Sequence, residues 1–425
     1  MQWDRLVAYS LAEELMTFQY PEALAHHGSV VYNAALNLAE GTNAEKWCGQ
    51  LLQLINASHG NMRLATTSSE LNTWRKIYTD SCILRGISQF ALSRDLEAIA
   101  TLDHAIIIAG AQNRLDLILD VIRQLQTKFS REHRSNKHLS VSLRFTTITS
   151  KFPRNTVPQL PPPSFLGFQS KFSQRPFILH NFAADWPALQ DRPWRSVQYL
   201  LSVAGPGRVV PVEVGADYRS KNWNQKIMQW ESFLSTLDFE DQPAPKCGEE
   251  VLYLAQHDLT TQFPSLRDDI IIPDYVYASL ACSAHPNYRP PLNDVNLLFN
   301  TWLGPKGTVS PAHTDPYFNF YVQVVGHKSV WLAPPSASTS MYPISSSLLS
   351  GSASGLDDKS AMINTSQIDV FSEPRNLTSF PDFVQDVVPV SMFAVLAPGD
   401  VLFFPPGWWH AMKSESTSFS FSIWF

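Results

Sequence analysis

Ser418-Phe419-Ser420-Phe421-Ser422-Ile423-Trp424-Phe425 alternates residue by residue. Ser418, Ser420 and Ser422 fall on one face, Phe419, Phe421, Ile423 and Phe425 on the other. Successive side chains of an extended strand point to opposite faces, so the stretch predicts a barrel strand with a small polar inner face. Working back from it, Pro176-Phe177-Ile178-Leu179, Val209-Val210-Pro211-Val212 and Phe320-Tyr321-Val322-Gln323-Val324 are further short apolar runs split by turn residues. From Phe165 onward the chain therefore reads as strand-dominated.

The first 130 residues have a different period. Ile77, Cys82, Ile83, Leu84, Ile87 and Phe90 precede a break near Ser93-Arg94, and Leu96, Ile99, Leu102 and Ile106 follow it. A third run holds Leu115, Leu117, Ile118, Val121, Ile122 and Leu125, at helical spacings of three and four. Ala109-Gly110-Ala111 separates the last two runs, as a helix C-cap does. The expected class is α+β: a helical domain over 1–130, a basic, proline-stiffened linker over 131–164 and a β domain over 165–425. The linker reading comes from Arg131, Arg134, Lys137, Arg144, Lys151 and Arg154, followed by Pro158 and Pro161-Pro162-Pro163. A Ser/Gly-rich stretch from Ser336 to Ser360 reads as a long flexible loop, either a plain surface insertion or a lid.

Composition bounds the function classes. Of 425 residues, 44% are hydrophobic and 16% charged, with 12 Trp and 25 Phe, which describes large buried cores and not a disordered adaptor. A net charge of −6 argues against general attraction to nucleic acid and suits a basic peptide better. Cys48, Cys82, Cys247 and Cys282 are far apart and form no CxxC, so they read as free thiols in a reducing compartment. Asp4, Glu13 and Glu14 speak against a signal peptide, and no apolar run approaches a membrane span. The expected location is nuclear, cytoplasmic or both, and not secreted.

The chemistry concentrates between Trp302 and Asp315. Trp302-Leu303-Gly304-Pro305 runs on to Ser310-Pro311-Ala312-His313-Thr314-Asp315, and His313 and Asp315, two apart, share one face of an extended backbone. A second histidine, His410, follows Val401-Leu402-Phe403-Phe404 and Pro405-Pro406-Gly407. Two imidazoles and one carboxylate on one side of a metal make a facial triad. It leaves three open positions, two for a chelating 2-oxo acid and one for dioxygen, and Fe(II) suits it. An HxD pair alone is weak, because most such histidines are surface or capping residues. Its surroundings add weight. Lys328 follows the next apolar strand at a Gly326-His327 turn, placed to pair the distal carboxylate of 2-oxoglutarate. Asn319, Tyr321 and Gln323 share one parity on that strand, facing the lumen that the metal also faces.

HxD, a lysine beyond it, and a late histidine directly after Gly-Asp-Val-Leu-Phe-Phe-Pro-Pro-Gly-Trp-Trp together resemble the JmjC domain of the cupin superfamily, over residues 165–425. Val210 to Gly215, Tyr253 to His257 and Ile272 to Tyr275 strengthen the likeness. The resemblance implies a double-stranded β-helix, Fe(II) held by His313, Asp315 and His410, and 2-oxoglutarate and O₂ as cosubstrates. It also implies 2-oxoglutarate contacts from Tyr253, Ser310, Asn319 and Lys328. Ser310 reads equally as a turn residue before Pro311, and Tyr253 as a core aromatic. Glu213 and Trp302 match substrate-pocket positions, with Gln256 a third candidate, although Glu213 also reads as an ordinary strand carboxylate. A carboxylate beside an indole is a natural receptor for a guanidinium.

The resemblance thus implies a dioxygenase acting on a basic, arginine-containing protein such as a histone or ribosomal protein, by arginyl C–H hydroxylation. Methyl-lysine demethylation uses the same iron chemistry and stays open beside it, as does the family's link to histone-tail cleavage. Two readings from other classes are a JmjC binding module without turnover, against which the intact triad and Lys328 count, and a zinc hydrolase, for which no HExxH is present. His26-His27 and His104 read as solvated or boundary histidines, and Trp408-Trp409 as packing at the barrel edge.

Overall fold

The computed structural model describes residues 3–129, 155–215, 217, 219, 223–244, 250–281, 283, 285–344, 364–372 and 377–425. The basic part of the expected linker and most of the Ser/Gly-rich stretch lie outside these residues, as do Cys247 and Cys282.

Six helices span the N-terminal region: α1 (Trp3–Thr17), α2 (Ala25–Ala39), α3 (Ala44–Met62), α4 (Ser68–Ala91), α5 (Asp95–Ala109) and α6 (Leu115–Gln126). Local chemistry sets their ends. The Thr67 side chain accepts from Glu70 N while the Glu70 carboxylate takes Thr66 N, so two free donors at the start of α4 are satisfied. Gly110, in the left-handed conformation at φ 72°, closes α5. On α6 the expected three-and-four spacing places Ile118, Val121, Ile122 and Leu125 in one core with residues of α1 to α5. His27 packs its ring 5.1 Å from Trp74, and burial pushes the His104 imidazole pKa down.

The chain divides into two compact units, and the first joins these helices to residues 204–210 and 227–231. Within it the buried Asp103 carboxylate accepts from Arg208 Nε and Nη2 and from Val209 N, at 2.7 to 3.1 Å. Such a bidentate, hydrogen-bonded pair is the form in which two charges tolerate burial.

The second unit is built on sheets. Numbered in chain order, the described strands are β1 (Asn155–Thr156), β2 (Gln159–Leu160), β3 (Phe177–Leu179), β4 (Val209–Val214), β5 (Asn224–Gln229), β6 (Leu252–His257) and β7 (Leu298–Gly304), then β8 (Val309–His313), β9 (Asn319–Val325), β10 (Lys328–Ala333), β11 (Met392–Leu396), β12 (Val401–Phe404), β13 (Trp409–Ser414) and β14 (Ser418–Trp424). They form a five-stranded sheet, β1-β11-β10-β13-β8, and a nine-stranded sheet, β2-β3-β12-β9-β14-β7-β6-β4-β5. One apolar cluster draws Val330, Leu332, Leu396 and Met412 from the first sheet and Ile178, Tyr321, Leu402 and Phe404 from the second, so the core lies between the sheets. This is a cupin-like, double-stranded arrangement, although the sheets do not close into one barrel. Among the described residues the first strand starts at Asn155, inside the stretch read from sequence as linker.

The serine strand β14 is buried on both faces. Ser418, Ser420 and Ser422 face inward, where Ser420 donates to Gln323 Oε1 at 2.7 Å and Trp302 Nε1 donates to Ser422 at 3.2 Å. Phe419 and Phe421 pack on the other side against Trp194 and Trp186, a second aromatic layer. Part of the expected Ser/Gly-rich loop is ordered: Pro335–Ser340 forms a short 3₁₀ helix, and Pro343 bridges Ser366. Trp409 donates to Ser338 at 3.0 Å, and Trp408 and Trp409 are both buried packing residues.

Gly326 makes the turn from β9 into β10 at φ 71°, and a Cβ there would collide with the Thr417 carbonyl. Gly326→Ala should therefore destabilise the protein by at least the roughly 1–3 kcal/mol of left-handed backbone strain. A urea midpoint equal to wild type would show that the turn between β9 and β10 accepts a side chain without strain.

Candidate active site

His313 ends β8, and His410 lies directly opposite it on β13 in antiparallel register. The imidazole centroids are 4.1 Å apart. A bulge between His410 and Met412 shifts the register just past the pair. Asp315 stands two residues beyond His313, with Oδ2 3.4 Å from His410 Nε2 and 3.9 Å from His313 Nε2. Its carbonyl accepts from Gly407 N at 2.9 Å, which ties it to the turn before β13.

The two imidazoles are oriented in the same way. His313 Nδ1 lies 2.8 Å from the Pro311 carbonyl, and His410 Nδ1 lies 3.0 Å from the Trp408 carbonyl. A carbonyl only accepts, so in the neutral rings each Nδ1 carries the hydrogen and each Nε2 keeps its lone pair for a metal. Burial, together with the neighbouring His410, pushes the His313 pKa down to about 4, so this ring is neutral near pH 7. Burial raises the Asp315 pKa, but the facing His410 and His313 rings outweigh it and hold the group below the usual carboxylate range. The ligand atoms all lie within 4.8 Å of one another. Two neutral nitrogens and one carboxylate in this arrangement fit Fe(II) with positions left open.

One cavity is lined by this triad together with Trp302, Ser310, Asn319, Tyr321, Phe404, Met412 and Trp424. Lys328, 1% exposed, reaches it through Tyr321, whose Oη accepts from Nζ at 2.9 Å. Among the described residues no carboxylate pairs with this ammonium, and burial lowers its pKa to about 7. A buried cation without an anion fits a site that receives one. The Tyr253 ring lies 5.8 Å from Lys328 Nζ and 6.3 Å from Trp302, and its hydroxyl bonds Ser310. Gly304 leaves room for that ring, since a Cβ would sit 2.6 Å from it. Asn319 Oδ1, Asn300 Nδ2 and Trp424 Nε1 are buried on this inner face without protein partners, as expected where a polar ligand completes the set.

Of the expected substrate residues, Trp302 lines the cavity and Glu213 is set back, directly opposite Tyr253 across β4–β6. Gln256 is not brought in. It is exposed, at φ 48°, within a register shift between Leu254 and His257 that breaks the alternation of β6. Tyr321 and Trp424 were missed as site residues. Both carry the inner parity, Tyr321 with Asn319 and Trp424 with the serines, and that was the available signal.

His410→Ala or Asp315→Ala should leave the fold intact and lose iron, since two ligands do not hold a labile Fe(II). Wild-type metal content after anaerobic desalting would move the third ligand elsewhere. Lys328→Ala should retain iron and weaken 2-oxoglutarate binding more than about a hundredfold, on the order of 3–5 kcal/mol for a lost buried charge pair. In the wild type, Lys328 is charged below pH about 7 and increasingly neutral above it. The affinity for the dianion should therefore be flat below that pH and fall roughly tenfold per unit above it, with proton uptake on binding. Calorimetry in buffers of different ionisation enthalpy reads both, and constant affinity up to about pH 8.5 would exclude Lys328 as the counter-ion.

A family profile described as a cupin-like domain matches residues 167–425. The chain is 39% identical over 270 residues to Jumonji C domain-containing protein 5 of Drosophila melanogaster, covering 63% of this chain and 59% of that protein. It is 33% identical over 387 residues to lysine-specific demethylase 8 of Danio rerio, covering 87% and 86%. Lysine-specific demethylase JMJ30 of Arabidopsis thaliana is 30% identical over 384 residues, covering 84% and 81%. With its cupin-like sheets and its His-Asp-His centre, this chain belongs to the JmjC-domain family of Fe(II)- and 2-oxoglutarate-dependent oxygenases.

Proposed function

We propose that this chain hydroxylates an arginine side chain of a basic protein or peptide, with Fe(II) as cofactor and 2-oxoglutarate and dioxygen as cosubstrates. The observation that carries the reading is Glu213. Burial raises its pKa, so a facing cation would offset the cost of its charge there. It stands opposite Tyr253, whose ring is 6.3 Å from Trp302 at the metal cavity.

His313, Asp315 and His410 would hold the iron, and Lys328, with Tyr253, Ser310, Asn319 and Tyr321, would hold the oxo acid. The chemistry these groups supply when bound is insertion of one oxygen atom into a C–H bond, as the oxo acid becomes succinate and carbon dioxide. The remaining tasks belong to the chain. The Ser422 hydroxyl fixes the Trp302 ring through its N–H. Phe404, its ring 4.6 Å from His410, walls the metal side against water together with Met412 and Trp424. Glu213 would pair both arms of a guanidinium while Trp302 stacks on its plane. A methylated ammonium has no such fork to match.

The relatives named as demethylases keep methyl-lysine as the competing substrate. Histone and ribosomal proteins, met in the nucleus or cytoplasm, are the basic candidates for either reaction. Among the described residues no helix is long and apolar enough to cross a membrane. Mass spectrometry of a basic peptide library separates the reactions, since hydroxylation adds one oxygen and demethylation removes one methylene.

Glu213→Gln should keep iron and 2-oxoglutarate binding and the slow succinate formation seen without peptide, while losing most hydroxylated arginine product. Trp302→Ala should shift the same product-to-succinate ratio in the same direction. Wild-type ratios in both variants would place the guanidinium receptor elsewhere.

A further inference from the structure

β8 is the edge strand of its sheet, and its free side is covered at the metal ligands. His313 bridges Thr365, Ser366 N donates to the Ala312 carbonyl at 2.8 Å, and Thr314 N donates to the Asn364 carbonyl at 3.1 Å. Residues 364–368 thus form a short wall beside the triad, ending on Ile368, which is fully buried. The other partner is Asp217, four residues beyond Glu213 in the chain.

Arg219 connects the two. Its Nε and Nη2 donate to the two oxygens of Asp217 at 3.2 and 3.0 Å, and Asp217 Oδ1 also accepts Arg219 N at 2.8 Å. This fork fixes the guanidinium plane and leaves Nη1 to donate to the Ile368 carbonyl at 3.1 Å. Both side chains are more than four-fifths buried, so the contact is shielded from water and salt, unlike an ordinary surface pair. Asp217 lies four residues from Glu213 and its charge is felt there. Held by Arg219, Asp217 is engaged, and Glu213 is left as the carboxylate offered to a substrate cation.

We propose that Arg219 is a positioning residue for the substrate: with Asp217 it latches the Glu213 segment to the 364–368 wall beside His313. Arg219 touches neither metal ligand nor cavity, so it acts through Glu213. The inference deepens the arginine reading and shares its substrate class. Glu213 itself stays paired with Tyr253, but without the latch the freed Asp217 would compete for the guanidinium and its charge would act on Glu213 unopposed.

The test compares wild type with Arg219→Ala, Arg219→Lys, Asp217→Asn and the Arg219→Ala/Asp217→Asn pair. Its probe is a synthetic basic peptide carrying a single arginine. Arg219→Ala should raise the peptide KM roughly tenfold or more, as loss of charged hydrogen bonds would. Iron content, 2-oxoglutarate affinity and peptide-free succinate formation should stay unchanged. Anisotropy of the labelled peptide under nitrogen should show the same weakening without turnover. Lysine cannot reproduce the fork, so Arg219→Lys should recover only part of the loss, and the double variant should be no worse than Arg219→Ala. Unchanged KM and peptide affinity in Arg219→Ala would overturn the latch. So would a proportional loss of iron and 2-oxoglutarate binding, which marks a merely structural role. If the wild type ignores the arginine peptide but demethylates a methyl-lysine peptide, the arginine reading fails instead. The same variants measured on that peptide then decide the latch.

Discussion

The site depends on one cross-strand pair, His313 on β8 against His410 on β13. Side chains on neighbouring strands meet only in register, and a slip of one residue would turn His410 to the opposite face. The register is also held from the other side of β13, where Leu332 of β10 pairs His410 and Lys328 of β10 pairs Ser414. The same three strands that place the imidazoles therefore place the buried lysine. The two Nδ1 contacts to carbonyls two residues back then leave both Nε2 atoms as ligands without any further side chain.

Around this pair the interior is polar to a degree that a plain β sandwich would not support. Lys328, Asn300, Asn319 and Trp424 bury groups that lack full protein partners. Each is destabilising by itself, because burial removes water without replacing it. The aromatic layer outside β14 and the apolar cluster between the sheets offset that cost. Packing outside the cavity thus carries the stability, while Asn300, Asn319 and Trp424 keep unsatisfied groups where a ligand would complete them.

Much of this was legible in the sequence because the decisive signals are local. The β14 alternation, the His313-Thr314-Asp315 spacing and the Gly110 cap each need only a few neighbouring residues. What was not legible is non-local or irregular. The strand order of the two sheets follows from pairings between distant strands. Gln256, a candidate by resemblance alone, lies exposed within the irregular part of β6. Tyr321 was read only as facing the lumen and Trp424 was given no role, since an aromatic on an inner face is ordinarily packing. Arg219 carries no motif, and its partner carbonyl at Ile368 is distant in the chain.

The central claim is that the triad and Lys328 serve one cavity, so a metal and a diacid must bind there interdependently. Titration of 2-oxoglutarate into the protein under nitrogen, with and without Fe(II), tests it directly. The account predicts that iron raises the affinity by roughly a hundredfold or more, and that 2-oxoglutarate raises iron affinity by the same factor. Equal 2-oxoglutarate affinity with and without iron would place the two ligands in separate sites and contradict the account.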